Sequence, residues 1–282
     1  MIIWIASYPK SGNTYLRSFL ASYYYSKDGN FEFDQLLKIH QFPNFKFSKL
    51  TSETREEASK NWMFNQNAFF ERDKLNLVKT HNCLYPYKGN NFTSRNETLG
   101  AIYIVRDPRN LITSIKHHYS IDYKKAIEFM LDDNSSLLEK SHDNDYSNFT
   151  YLNSWSKHYR SWEKSSEFKT LFIKYEDLEK NKIEIFKKII FFINEITEIN
   201  KEIDEKKLFN SIKTTNFINL KNKELNEGFE ESVYSNKSGK KINFFNLGFN
   251  NRWQKILPTD IKNQTNGIFK ENLNELSYPI DW

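Results

Sequence analysis

Ile2-Ile3-Trp4-Ile5-Ala6 runs without a polar break into Ser7-Tyr8-Pro9-Lys10-Ser11-Gly12, and Tyr15, Leu16, Phe19 and Leu20 then follow with helical spacing. A short apolar run rich in β-branched residues reads as a buried strand, and the Pro and Gly after it as a tight loop that delivers the chain into a helix. Asn13 or Thr14 is placed to begin that helix. The same order recurs further on: Ala101 to Val105 is apolar, Arg106-Asp107-Pro108-Arg109 is a turn, and Leu111, Ile112 and Ile115 form a helical stripe. Two strand–loop–helix units in one chain argue for a parallel sheet. Further strands are expected over 75–79 and 171–175, and helices over 51–73, 151–163 and 182–194. The polar, aperiodic stretch 132–148 reads as a loop or cap. No internal repeat and no Pro- or Gly-rich linker divides the chain, so residues 1–282 are expected to form a single domain.

Composition narrows the functional classes. The net charge of +5 is small and spread along the 282 residues, which gives none of the concentrated Lys/Arg stripe of a nucleic-acid binder and suits an anionic small ligand. The 16% aromatic content supplies large buried areas to a chain whose mean hydropathy is low. Cys83 is the only cysteine, so an intramolecular disulfide and a cysteine-based metal site are both excluded. No stretch is long and apolar enough for a membrane span, and the first residues lack the basic flank of a signal peptide, so a cytoplasmic protein is expected. The Asn-x-Ser/Thr triplets at Asn91, Asn96 and Asn148 are then chance features of an asparagine-rich chain.

Chemistry concentrates at three strand ends. The loop after the first strand is where a doubly wound sheet binds phosphate: backbone N–H groups at the helix start face the ligand, Gly12 permits close approach, Ser11 and Thr14 add hydroxyls and Lys10 adds charge. Its lysine precedes a single glycine, unlike the nucleoside-triphosphate loop Gly-x-x-x-x-Gly-Lys-Ser/Thr. Arg106, at a strand end, offers planar donors to a phosphate, and Ser114, two helical turns on, can face the same pocket. His81, in Val78-Lys79-Thr80-His81, ends another strand and is a residue type that deprotonates a hydroxyl near neutral pH.

Tyr8-Pro9-Lys10-Ser11-Gly12-Asn13-Thr14 resembles the 5′-phosphosulfate loop of the sulfotransferases that use 3′-phosphoadenosine 5′-phosphosulfate (PAPS), and Arg106 to Ser114 resembles their 3′-phosphate segment. Lys79-Thr80-His81 is similar to the segment carrying the general base in the small-molecule branch. Lys174-Tyr175-Glu176-Asp177-Leu178 and Thr215-Asn216-Phe217 resemble the stretches that border the adenine. The resemblance implies a three-layer, P-loop-like α/β fold with a central parallel sheet flanked by helices. It implies in-line transfer of a sulfuryl group from PAPS to a hydroxyl or amine, leaving 3′-phosphoadenosine 5′-phosphate (PAP), with no metal. His81, Lys10 and Lys79 become the catalytic residues. Lys10, Ser11, Gly12, Asn13, Thr14, Tyr15, Arg106, Ser114, Tyr175, Thr215 and Phe217 become donor ligands.

One departure stands out. Asn246 and Leu247 precede Gly248 where the family carries Arg-Lys-Gly, while Lys240, Lys241 and Arg252 flank the position. Arg252 is favoured as the substitute counter-charge because an arginine offers a phosphate two donors. In the alternative, Arg106 and Ser114 hold the 3′-phosphate alone. The acceptor, a small molecule or glycan, is expected among the loops 41–50, 85–91 and 132–148, which offer Phe42, Phe45, Phe47, Tyr85 and Tyr87. His117 and His118 are adjacent on a helix, so they face apart rather than chelate a metal. Lys255, Thr259, Asp260 and Gln264 partly match the family's dimer-contact pattern, which leaves a homodimer possible. Two rivals remain open: a P-loop-type nucleotide kinase and a non-catalytic nucleotide-binding module on the same fold.

Overall fold

The computed structural model of the protein describes residues 1–138, 144–234 and 239–280. Strands β1 (Ile2–Ser7), β2 (His40–Gln41), β3 (Asn76–Thr80) and β4 (Thr98–Val105) join Lys169–Lys174 in one five-stranded sheet. The order is β2-β3-β1-β4 and then Lys169–Lys174, and every neighbouring pair is parallel. In β1, Ile2, Trp4 and Ala6 enter the apolar layer on one side of the sheet, and Ile3 and Ile5 the layer on the other. A strand covered on both faces needs apolar residues at every position, which is why this run shows no alternation. The indole of Trp4 satisfies its one donor with Thr98 Oγ1 at 2.8 Å.

Helices cover both faces, giving the α/β layering expected. Helix α1 (Asn13–Tyr25) is buried from Asn13 to Tyr23. Its stacked Phe19 lies 3.6 Å, centroid to centroid, from Phe186 of the helix Lys182–Ile196. The cap of α1 is Gly12 at φ 104°, not Asn13 or Thr14. The chain lays β3 on one side of β1 and β4 on the other, and the crevice at such a switch point opens at the carboxyl ends of the strands. Ser7 to Gly12, His81 and Arg106 all lie at that end.

Several boundaries differ from the sequence reading. The helix expected over 51–73 is two, Arg55–Lys60 and Trp62–Phe69, hinged at Asn61, and the first is capped by Thr54 Oγ1 accepting from Glu57 N at 3.2 Å. The helix expected from 151 begins at Trp155, because Asn153 turns the chain at φ 61° and Thr150–Tyr151 pairs antiparallel with Ser136–Leu137. Strand β2 is too short to leave a sequence period. Within the loop 132–148, residues 139–143 lie outside those described. Among the described residues, no helix is long and apolar enough to cross a membrane.

Candidate active site

A cavity of about 560 Å³ opens at the carboxyl ends of β1, β3 and β4 and takes in Lys10, Gly12, Thr14, Lys79, His81 and Arg106. Three segments far apart in sequence thus meet, as the motifs require. Lys10 adopts φ 67°, an uncommon conformation for a residue with a Cβ and one that accumulates at functional sites. Its Nζ lies 3.4 Å above the ring of Phe244 and 3.4 Å from His118 Nδ1. Burial, with Lys79 and Arg106 nearby and against the opposing pull of Glu231, lowers the Lys10 pKa to about 7.

His81 is fixed by the strand beside it. Its Nδ1 lies 2.7 Å from the Ser7 carbonyl and 3.3 Å from Ser7 Oγ. A carbonyl only accepts, so Nδ1 carries the proton and Nε2 keeps the lone pair. Burial and the charge of Lys79 lower the His81 pKa to about 3, so the ring is neutral at physiological pH. Behind it, the carbonyl of His81 accepts from His158 Nε2 at 2.9 Å, and His158 Nδ1 receives the Tyr103 hydroxyl at 2.8 Å.

Arg106 and Ser114 meet as expected: Nη1 donates to Ser114 Oγ at 3.2 Å and to the Lys10 carbonyl at 3.0 Å. The guanidinium lies 4.3 Å above the Tyr175 ring. Tyr175 reaches this place because Gly12 has no side chain, since a Cβ there would stand 2.3 Å from the Tyr175 ring. Gly248, at φ 55°, makes the same room for Phe217, where a Cβ would come within 2.5 Å. Both aromatics therefore flank the cavity against glycines.

Ser11, Thr215 and Arg252 are not brought to the cavity, and Asn13 and Tyr15 border it while serving the fold. Ser11 turns its hydroxyl inward without a partner among the described residues, while its N–H closes a turn onto Tyr8. Asn13 ties the loop to β1, donating to the Ile5 carbonyl at 2.9 Å and to Ser7 Oγ at 3.2 Å. Tyr15 touches the cavity but packs mainly on Phe186 and Phe249. Thr215 is fully buried and returns its hydroxyl to the Ser211 carbonyl at 2.6 Å, so it flanks nothing. Arg252 lies outside the cavity, its exposed side chain 3.9 Å from Glu179, because the short helix Trp253–Ile256 starts there and turns it to the surface.

The cavity also holds residues that no motif announced. Asn251 donates to the Asn110 carbonyl at 2.7 Å and to Ser114 Oγ at 3.0 Å. Glu231 receives Thr14, Arg17 and Lys79. His117 and His118 both border the cavity, His117 Nε2 lying 3.3 Å from the Asn243 carbonyl. Tyr119, Leu137, Leu138 and Phe244 form an apolar lining, Leu137 and Leu138 coming from the loop 132–148 in which the acceptor is expected. Of the aromatics expected around an acceptor, Phe42 is core, and Phe45, Phe47, Tyr85 and Tyr87 lie elsewhere. Arg17 alone had a readable signal, standing one helical turn after Thr14. Among the described residues no group of three or more His, Cys, Asp or Glu could hold a metal ion.

Comparison with known proteins gives a consistent result. The family model described as a sulfotransferase domain matches residues 2–277. Luciferin sulfotransferase of Photinus pyralis is 24% identical over 78% of this chain, which spans 56% of that relative's length. Amine sulfotransferase of Oryctolagus cuniculus is 21% identical over 99% of this chain and 83% of its own. In fold, the chain is similar to a mouse sulfotransferase, SULT7A1, complexed with PAP, with a TM-score of 0.58 at 19% identity, covering 96% of this chain and 84% of that one.

Proposed function

The chain belongs to the sulfotransferase domain family, and from that premise we propose that it is an enzyme moving a sulfuryl group from PAPS to a hydroxyl or amine of a small acceptor, within one domain of residues 1–282 and in the cytoplasm. The observation that carries the reading is the meeting of Lys10, His81 and the Arg106–Ser114 pair in one cavity at the switch point of a parallel sheet. The cavity's polar groups suit a phosphorylated nucleotide. Buried atoms without partners among the described residues include Arg106 Nε, Thr113 Oγ1 and Asn251 Oδ1 at one end and Asn13 Oδ1 at the other. A buried polar atom left unpaired is costly, and a ligand rich in oxygens and hydroxyls relieves it.

When bound, the donor supplies the sulfuryl group; everything else is the work of this chain. His81 holds Nε2 ready to take the acceptor's proton, its tautomer set by Ser7. Lys10 offers charge to a developing anion from within the cavity. Arg106 and Ser114 hold the 3′-phosphate, and Tyr175 and Phe217 border the base. Tyr119, Leu137, Leu138 and Phe244 favour an acceptor whose reacting group sits on an apolar body. Incubation with radiolabelled PAPS and separate pools of phenols, aliphatic alcohols and amines tests this. Labelled product that disappears with His81→Ala supports the reading. Binding of PAP without product in any pool makes the protein a binding module instead.

A further inference from the structure

Three donors converge on Glu231, a carboxylate that lines the cavity together with Thr14 and Lys79. Glu231 Oε2 accepts from Thr14 Oγ1 at 2.8 Å, while Oε1 accepts from Arg17 Nη1 at 2.6 Å and from Lys79 Nζ at 3.2 Å. The side chains of Arg17 and Lys79 are each only 7% exposed. Arg17 lies three residues beyond Thr14, on the same face of α1, and its other terminal nitrogen reaches the Ile39 carbonyl at 3.5 Å. Two largely buried cations side by side call for an anion between them. Burial alone would raise the Glu231 pKa, but Lys79 and Arg17 hold it well below the usual carboxylate range, so the anion is present at physiological pH.

Thr14 belongs to the loop read above as the phosphosulfate loop, and Lys79 is one of the residues read above as catalytic. Glu231 therefore stands among residues of the reaction site. We propose that Thr14, Arg17 and Lys79 form the subsite for the sulfuryl end of the donor, with Arg17 a further ligand of that group, and that Glu231 fills the subsite in the unloaded protein and withdraws when the donor binds. The inference rests on the donor assigned in the preceding subsection. The anchoring of the segment fits a local withdrawal. Glu224, one turn before the end of the helix Phe217–Glu227, accepts from Ser232 Oγ at 2.6 Å, Phe244 N at 2.6 Å and Phe245 N at 2.9 Å, so the neighbouring chain stays tethered if Glu231 lets go.

A built-in competitor lowers apparent affinity by the fraction of molecules in which it has left. Glu231→Gln keeps the shape and removes the charge. By calorimetry without acceptor it is expected to bind PAPS about tenfold to a hundredfold more tightly than wild type, the range set by charge-assisted hydrogen bonds. Adding Arg17→Gln to that variant is expected to remove the gain. The gain should be smaller for PAP, which lacks the sulfuryl group. A thermal melt supplies a second readout: Glu231→Gln should melt lower than wild type unloaded and no lower when saturated with PAPS. Unchanged or weaker PAPS binding, or a lower melt in both states, overturns the proposal, because a purely structural carboxylate behaves that way. Equal gains for PAP and PAPS overturn the sulfuryl assignment. If wild type and Glu231→Gln bind neither nucleotide, the donor reading itself fails. Inorganic sulfate then tests the subsite separately: Arg17-dependent binding by Glu231→Gln but not by wild type supports an anion subsite, and no binding by either overturns it.

Discussion

His81 Nδ1 lies 2.7 Å from the carbonyl oxygen of Ser7, so the end of one strand sets the tautomer and aim of a histidine on its neighbour. Because the pKa is lowered to about 3 by burial and by Lys79, the ring stays neutral well into the acid range. The sequence alone leads one to expect activity to fall through an ordinary histidine pKa. The structure instead leads to a rate with no loss attributable to His81 between about pH 7.5 and about pH 5. A kcat/KM profile checks this. His81→Ala should lose nearly all transfer, and a variant that keeps wild-type turnover on a hydroxyl acceptor would require another base.

Lys10 carries the opposite sensitivity. With a pKa lowered to about 7 it is largely charged below neutrality and increasingly neutral above it. An arriving phosphate favours the charged form, so PAP binding should weaken as pH rises through about 7 and should take up a proton near pH 8. Calorimetry in two buffers of different ionisation enthalpy measures that uptake directly. Lys10→Ala is expected to lower kcat by about 10² or more, with a modest change in donor affinity.

Arg106 and Arg252 separate cleanly. Arg106→Ala should weaken PAP binding by about tenfold to a hundredfold and hardly affect adenosine 5′-phosphosulfate. Arg252→Ala should bind PAP like wild type, since Arg252 lies outside the cavity near Glu179. Equal losses for both nucleotides in the Arg106 variant would remove that residue from the 3′-phosphate.

Gly12→Ala should be costly on two counts. A φ of 104° strains any residue with a side chain, and the added Cβ meets the Tyr175 ring at 2.3 Å. The strain alone is worth about 1 kcal/mol or more, and the displaced Tyr175 should also weaken PAP binding. Denaturant unfolding and a PAP titration on the same sample read both losses.

Stability should fall in mild acid. Burial lowers the pKa of His81 and His118 to about 3 and of His158 to about 4. An unfolded histidine titrates near 6.5, so below that pH the unfolded chain binds protons that the folded chain refuses. Each such histidine removes about 1.4 kcal/mol of stability per pH unit until its folded pKa is reached. Between about pH 6.5 and about pH 5, the slope for His158→Gln should be shallower than that of wild type by one histidine's share.

What the sequence determined by itself was whatever is written in contiguous residues. The unbroken run Ile2 to Ala6 set a strand buried on both faces, the Pro-Lys-Ser-Gly that follows set the loop into α1, and the spacing from Arg106 to Ser114 set a strand-end group and a helix group that do meet at 3.2 Å. Tertiary structure decided the rest. Nothing local says that Thr215 spends its hydroxyl on the Ser211 carbonyl, or that a helix start turns Arg252 to the surface. Nor does any spacing tie Glu231 to Arg17, 214 residues earlier, at 2.6 Å. The physical reason is that short-range periodicity fixes which way a side chain faces within its own element, whereas its partner is fixed by how separate elements pack. Buried charges choose partners by that packing, because each must find its counter-charge wherever the fold brings one.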